Sequence, residues 1–144
     1  MEAQHARPIC IVAAVIADAD GRVLLVRKRG SAVFIQPGGK TEPGEAPLPA
    51  LARELDEELG VRLDVSSAVR LGEFEADAVN EPGRKVRAQA YACAVHGAPA
   101  ARAEIEELAW IDPAGPFGVR VAPLSAAHIL PAFLAFAGRA KAPA

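Results

Sequence analysis

The segment from Pro47 to Gly60 constrains this chain more than any other stretch. Leu48, Leu51, Ala52, Leu55 and Leu59 recur at helical spacing, which gives a helix one apolar stripe. Pro47 and Pro49 limit where it can begin, because proline is tolerated in the first turn, where backbone N–H groups lack intrahelical partners. Gly60 follows the last leucine and reads as a left-handed stop. The pattern therefore predicts a helix from Pro47 or Pro49 to Leu59. With Leu55 on the buried side, Glu54, Glu57 and Glu58 fall within an arc of about 100° on another face. Like charges at these spacings repel by about a few tenths of a kcal/mol each. A divalent cation bridging the carboxylates gives such crowding a purpose. Hard oxygen ligands suit Mg2+ or Mn2+ rather than zinc, and Mg2+ readily keeps waters and binds substrate phosphates. The cluster thus predicts metal-assisted phosphoryl chemistry, in which ions neutralise phosphate oxygens and lower the pKa of an attacking water. Taken alone, the glutamates fit a solvated acidic face better. The residues around them decide otherwise.

Strand signals surround this helix. Ile9 to Ala17 is a continuous apolar run that ends in a turn at Asp20-Gly21, and Val23 to Val26 follows as a second strand. Phe34-Ile35 is a short third segment, stopped by Pro37-Gly38-Gly39. Beyond the helix, Ala68 to Ala76 and Lys85 to His96 read as strands joined by a turn at Asn80 to Arg84. Leu108 to Ile111 is a further strand. Ala126 to Ala137 reads as a closing helix that Pro131 starts or kinks. Strands mixed with two helices imply an α/β layered domain.

The chain has 144 residues, without repeats or a linker between two cores, so residues 1–144 are expected to form a single domain. A net charge of −2 argues against broad attraction to DNA, RNA or anionic membranes, although a small polyanion needs only a few local cations. No apolar run approaches a membrane span, and Met1 to Pro8 lacks the apolar core of a signal peptide; a cytoplasmic protein is expected. Cys10 and Cys93 lie in strand-like apolar stretches and are expected to be buried, reduced thiols.

Around the glutamates stand Gly39, then five positions, Glu45, then seven positions, and Arg53-Glu-Leu-Asp-Glu-Glu-Leu-Gly-Val61. Gly39 to Val61 resembles the Nudix box at every defining position. Chance would give that pattern in such a chain on the order of once in ten million. The resemblance implies a Nudix-type α/β/α sandwich with a mixed β-sheet. It implies Glu57 and Glu58 as principal metal ligands, with Glu54 a third ligand or the base that orients water, and the Gly39 carbonyl as a further ligand. Arg53 resembles the arginine that holds the box carboxylates, including Glu45, in place, as an outer support orients metal ligands. Many relatives add an acidic ligand from a loop before a late strand. Glu104 stands in the favoured position, with Glu106 and Glu107 as alternatives. Asp56 is not a box position and is expected to face solvent.

Lys40, next to Gly39, could reach a substrate phosphate. Of Arg27, Lys28 and Arg29, which close the second strand, Arg27 or Arg29 is the expected phosphate contact. Arg84, Lys85 and Arg87 fit surface exposure better. Phe34, Tyr91 and Trp110 fit the core better than base stacking, and His5, His96 and His128 have no partner motif. The resemblance implies Mg2+-dependent (or Mn2+-dependent) hydrolysis of a nucleoside diphosphate-linked substrate. A (deoxy)nucleoside triphosphate cut to monophosphate and pyrophosphate is favoured; motifs of the NADH-type subgroup are missing, and the region after Asp112 lacks the base-reading Asn or Asp of oxidised-purine enzymes. An ADP-ribose or nucleotide-sugar pyrophosphatase, or a non-catalytic Nudix-fold nucleotide-binding module, is the alternative. The expected partner is a small nucleotide rather than a DNA or RNA duplex or a membrane; homodimers are common among relatives, so a homodimer is left open.

Overall fold

The computed structural model describes residues 7–141. Eight elements precede the closing helices: β1 (Ile9–Val15), β2 (Val23–Lys28), β3 (Phe34–Ile35), β4 (Gly38–Lys40), α1 (Pro47–Leu59), β5 (Arg62–Asp77), β6 (Lys85–His96) and β7 (Ile105–Ile111). A π-helical turn, Leu124–Ile129, then runs directly into α2 (Leu130–Lys141). Pro131 therefore lies inside a continuous helical run, directly after the π-helical turn, and does not start it.

The strands form two sheets. One is mixed, in the order β4-β1-β6-β5, with β1 parallel to β6 and antiparallel to β4. The other is antiparallel, in the order β3-β2-β7. Alternation along the central strands divides the core. Val12, Ala14, Leu24 and Val26 pack with Leu51, Leu55 and Leu59 of α1. Ala13, Val15, Val23 and Leu25 face the other way and pack with Leu124, Ile129 and Leu130. The sheets are therefore covered by helices on both sides, an α/β/α arrangement as the sequence implied.

The structure differs from the sequence reading in several boundaries and in the burial of one cysteine. Gly38–Lys40 pairs with β1 as a strand, where a stop was expected. Gly38 has φ +142°, and a Cβ there would collide with the Val12 carbonyl, so only glycine lets this strand lie so close. β5 begins at Arg62, well before Ala68, because register shifts absorb the irregular Asp64–Val69 stretch. Cys10 is exposed, not buried: it shares the α1-facing side of β1 with Val12 but lies beyond the part of the strand that this layer covers. Cys93 is half-buried, and burial pushes its thiol up to about 12. Both thiols are free, as expected.

Candidate active site

α1 starts and stops where its sequence demands. Pro47 opens it, Ala46 gives no side-chain cap, and Gly60 closes it at φ +70° while donating its N–H to the Asp56 carbonyl. The apolar stripe buries Ala50, Leu51, Leu55 and Leu59, which turns Glu54 and Glu58 toward the Gly38–Gly39 strand. The Gly38 N–H donates to Glu58 Oε1 at 3.3 Å. A Cβ on Gly39 would collide with the Glu54 carboxylate, so glycine is what lets backbone and carboxylate meet. Glu57 is exposed and Asp56 faces solvent, as expected for the latter.

Arg53 organises the outer side of this group. Its Nε and Nη2 donate to the two oxygens of Glu45, each at 2.9 Å, in a bidentate pair. Nη1 donates to Glu54 Oε2 at 2.9 Å and to Glu57 Oε1 at 3.4 Å, and Nη2 also reaches the Lys40 carbonyl at 3.2 Å. One guanidinium thus ties the loop before α1, three carboxylates and the backbone of β4. The Arg53 pair holds Glu45 down to about 2, helped by the backbone N–H at Glu42, and Glu45 in turn keeps Arg53 charged.

The inner carboxylates behave differently. Burial raises Glu54 above the usual range, opposed by Arg53. Burial pushes Glu58 up to about 7; its Gly38 hydrogen bond opposes this, nearby Glu54 and Glu104 reinforce it, and Lys28 opposes it. Glu104 is brought there by the loop after β6. The Ala100 and Arg102 N–H groups donate to the Leu59 and Glu58 carbonyls, which fastens that loop to the end of α1. Glu106 and Glu107 instead pair with Arg29 at 3.5 Å and Arg27 at 3.0 Å.

Among the described residues, no three acidic, histidine or cysteine side chains converge as a closed ligand set, and Glu57 leans onto Arg53. The donor chemistry still fits a hard divalent cation. It consists of oxygens only, and Glu58 is a buried carboxylate that no cation pairs directly.

The basic residues sort differently from the expectation. Arg27 is drawn to Glu107 and the Ser31 carbonyl and lies over the Phe34 ring. Arg29 is held by Glu106 and the Ala103 carbonyl. Lys28, which the sequence reading did not favour, shares its strand face with Leu24 and Val26 and so looks toward α1. Its ammonium pairs with Glu104 at 3.8 Å. Strict period-two counting from Leu24 would have found it. Lys40 lies near Glu81 at 3.3 Å, at the edge of a cleft.

That cleft, of about 140 Å³, opens beside Gly38 and Gly39. β1, the β3–β4 segment, the Asp77–Glu81 turn and Ala122–Ser125 line it, and Lys28 and Lys40 are also in its lining. None of its lining residues is aromatic. Phe34 and Tyr91 are buried in the core, as the sequence suggested, and Trp110 is exposed. His96 is exposed, His128 stacks on Phe74, and His5 lies outside the described residues. Nothing local in the sequence marked this cleft, because distant segments build it.

The family model for the NUDIX domain matches residues 8–133. The chain belongs to the NUDIX family. It is similar to the Escherichia coli ORF135 protein, whose solution structure matches with a TM-score of 0.75 at 30% identity, over 96% of this chain and 97% of that one. A MutT-like protein of Streptomyces ambofaciens is 41% identical over 54 residues, which is 38% of this chain and 35% of the relative. An RNA pyrophosphohydrolase of Halorhodospira halophila is 46% identical over 50 residues, which is 35% of this chain and 28% of the relative. The chain thus spans about a third of the length of the curated relatives it matches. The NUDIX match includes both α1 and the Gly38–Lys40 strand, so the family assignment and the carboxylate cluster concern the same part of the molecule.

Proposed function

We propose that this NUDIX chain is a Mg2+-dependent nucleotide pyrophosphohydrolase that cuts a (deoxy)nucleoside triphosphate to a monophosphate and pyrophosphate. One observation carries the reading: a carboxylate cluster on α1 abuts the Gly38–Gly39 backbone, and that backbone also lines a cleft with Lys28 and Lys40. A diphosphate at this junction would lie on the carboxylates while its organic end entered the cleft.

Glu54, Glu57 and Glu58, with the Gly39 carbonyl, would hold the metal, and Glu104 would join them. Bound there, the ion supplies charge neutralisation on the phosphate oxygens and activation of water. Arg53 positions Glu54 and Glu57 and keeps Glu45 locked. Glu54, in contact with Arg53 and partly withdrawn from water, would orient the attacking water and take its proton. Lys28 and Lys40 would bind phosphate oxygens, Lys40 after release from Glu81; Arg27 and Arg29 would need to leave their glutamates to do so. Positioning and charge stabilisation supply most of the rate in such reactions.

The test is product release from a panel with Mg2+: canonical dNTPs and NTPs, oxidised dNTPs, ADP-ribose, nucleotide sugars and dinucleoside polyphosphates, with wild type and Glu57→Gln compared. Triphosphate cleavage to pyrophosphate, lost in Glu57→Gln, is expected. Preference for ADP-ribose or a nucleotide sugar would replace the substrate class. Binding without turnover anywhere in the panel would make the chain a non-catalytic nucleotide-binding module.

A further inference from the structure

Two buried polar side chains in the cleft keep hydrogen-bonding capacity that the described residues do not use. Gln36 is 6% exposed and Ser125 is 2% exposed, and both line the cleft. Gln36 Nε2 donates to the Ala14 carbonyl at 2.9 Å. A carbonyl can only accept, so this contact fixes the amide with Nε2 toward β1. Ala14 itself is pinned, its N–H donating to the Pro37 carbonyl. The other amide atom, Oε1, is buried and accepts no hydrogen bond among the described residues. Ser125 forms no side-chain hydrogen bond among the described residues, and it sits in the π-helical turn that closes the cleft.

A buried acceptor without a donor is costly, and a ligand that supplies the donor recovers that cost. On nucleobases, the 4-amino group of cytosine and the 6-amino group of adenine are donors, whereas uracil or thymine carries a carbonyl at position 4. Hypoxanthine likewise carries a carbonyl at position 6. A carbonyl there would set lone pair against lone pair at Gln36 Oε1. The neighbouring ring nitrogen, N3 of cytosine or N1 of adenine, is an acceptor that a serine hydroxyl can meet.

We propose that Gln36 selects nucleotides whose base carries an amino group at pyrimidine position 4 or purine position 6, with Ser125 meeting the adjacent ring nitrogen. This rests on the pyrophosphohydrolase reading above and adds the edge of the base that the cleft reads. Ile9, Ile11, Ile35, Val86 and Leu124 provide apolar cover without stacking rings; Asp77, Asn80 and Glu81 of the β5–β6 turn, with Lys28 and Lys40, add polar lining, and Gln36 and Ser125 are the polar side chains buried in the wall. Sites built to hydrogen-bond a substrate group reject analogues lacking it far more strongly than apolar walls reject a change of size.

The test uses base pairs that differ only at the amino position: CTP with UTP, and ATP with ITP. For the wild type, kcat/KM is expected to favour the amino member of at least one pair by about tenfold or more. Gln36→Met should bring that ratio toward one. Calorimetric binding of CMP with UMP, and AMP with IMP, reads the same preference without turnover. A ligand-side control covers the case in which Gln36→Met does not fold. The monophosphate of the pyrimidin-2-one riboside, which has hydrogen at position 4, should bind wild type more weakly than CMP. Hydrolysis with both pairs treated alike, or discrimination kept in a folded Gln36→Met, overturns the role of Gln36 and leaves the pyrophosphohydrolase standing. If no nucleotide is hydrolysed, that function falls. Monophosphate binding then decides Gln36 alone: preference for CMP or AMP supports it, and equal or undetectable binding overturns it.

Discussion

Arg53 makes more of the site's contacts than any glutamate does, and it makes them in one plane. A lysine keeps the charge but cannot donate bidentately to Glu45 while reaching Glu54 and Glu57. If the proposed function holds, Arg53→Lys should lower activity about 10–100-fold, the range expected when an outer support of metal ligands is lost. Wild-type rates in a folded Arg53→Lys would remove its positioning role. The same pair makes a pH prediction. The Arg53 contact lowers Glu45 from 4.5 to about 2, so the folded state resists protonation that the unfolded chain accepts. Its stabilising contribution is complete above pH 4.5 and fades as pH falls toward 2. Urea unfolding across that window should show a shallower loss of stability in Glu45→Gln than in wild type; parallel curves would contradict the assignment. At this level Glu54, Glu57 and Glu58 were legible as one helix face from their spacing, and the nearness of Gly39, Glu45 and Arg53 to them from the family resemblance. Lys28 and Gln36 were not. Each depends on which side of a strand it leaves, and on what another part of the chain puts opposite it.

α1 was readable to the residue at its end and to Pro47 or Pro49 at its start, because prolines and a glycine bound it. Gly60 carries the stronger constraint of the two. Its φ of +70° disfavours any side chain, and a Cβ there would also meet the Arg102 guanidinium. Gly60→Ala should therefore destabilise the protein by about 1–2 kcal/mol. The urea midpoint should fall without a change in slope; an unchanged midpoint would mean that the helix end relaxes freely. Glu58 sets the opposite case on the same helix. It is buried beside Glu54 with no direct cation, so charge is stored there at the expense of the metal-free fold. In EDTA at pH 8, Glu58→Gln should melt higher than wild type. Adding Mg2+ should raise the melting temperature of wild type and much less that of the variant. A variant stabilised by Mg2+ as strongly as wild type would exclude Glu58 from the metal site. The ladder between β2 and β7 was not legible. Arg27 pairs with Glu107 and Lys28 with Ile105, so Glu106 is an extra residue in a bulge. Nothing in the composition of that stretch announces the irregularity, yet it decides which acids meet which cations.

The α/β layering followed from the order of elements, and the α/β/α sandwich from the family resemblance, but the partnership of β1 with β6 followed from neither. Parallel pairing of segments so far apart is fixed by the whole core, through alternating faces that fit two helix layers at once. The cleft shares that origin, since its walls come from β1, the β3–β4 segment, the β5–β6 turn and the start of the closing helices. The pairing also has a consequence in time. A ribosome finishes the three glutamates of α1 by residue 58, but β1 has no parallel neighbour until Lys85–His96 has been made. The cleft's far wall, Ala122–Ser125, comes later still. During synthesis the acidic helix is thus a bare charged segment for much of the chain's length. If the proposed function holds, its grip on a cation and a nucleotide forms only after those later segments have been made.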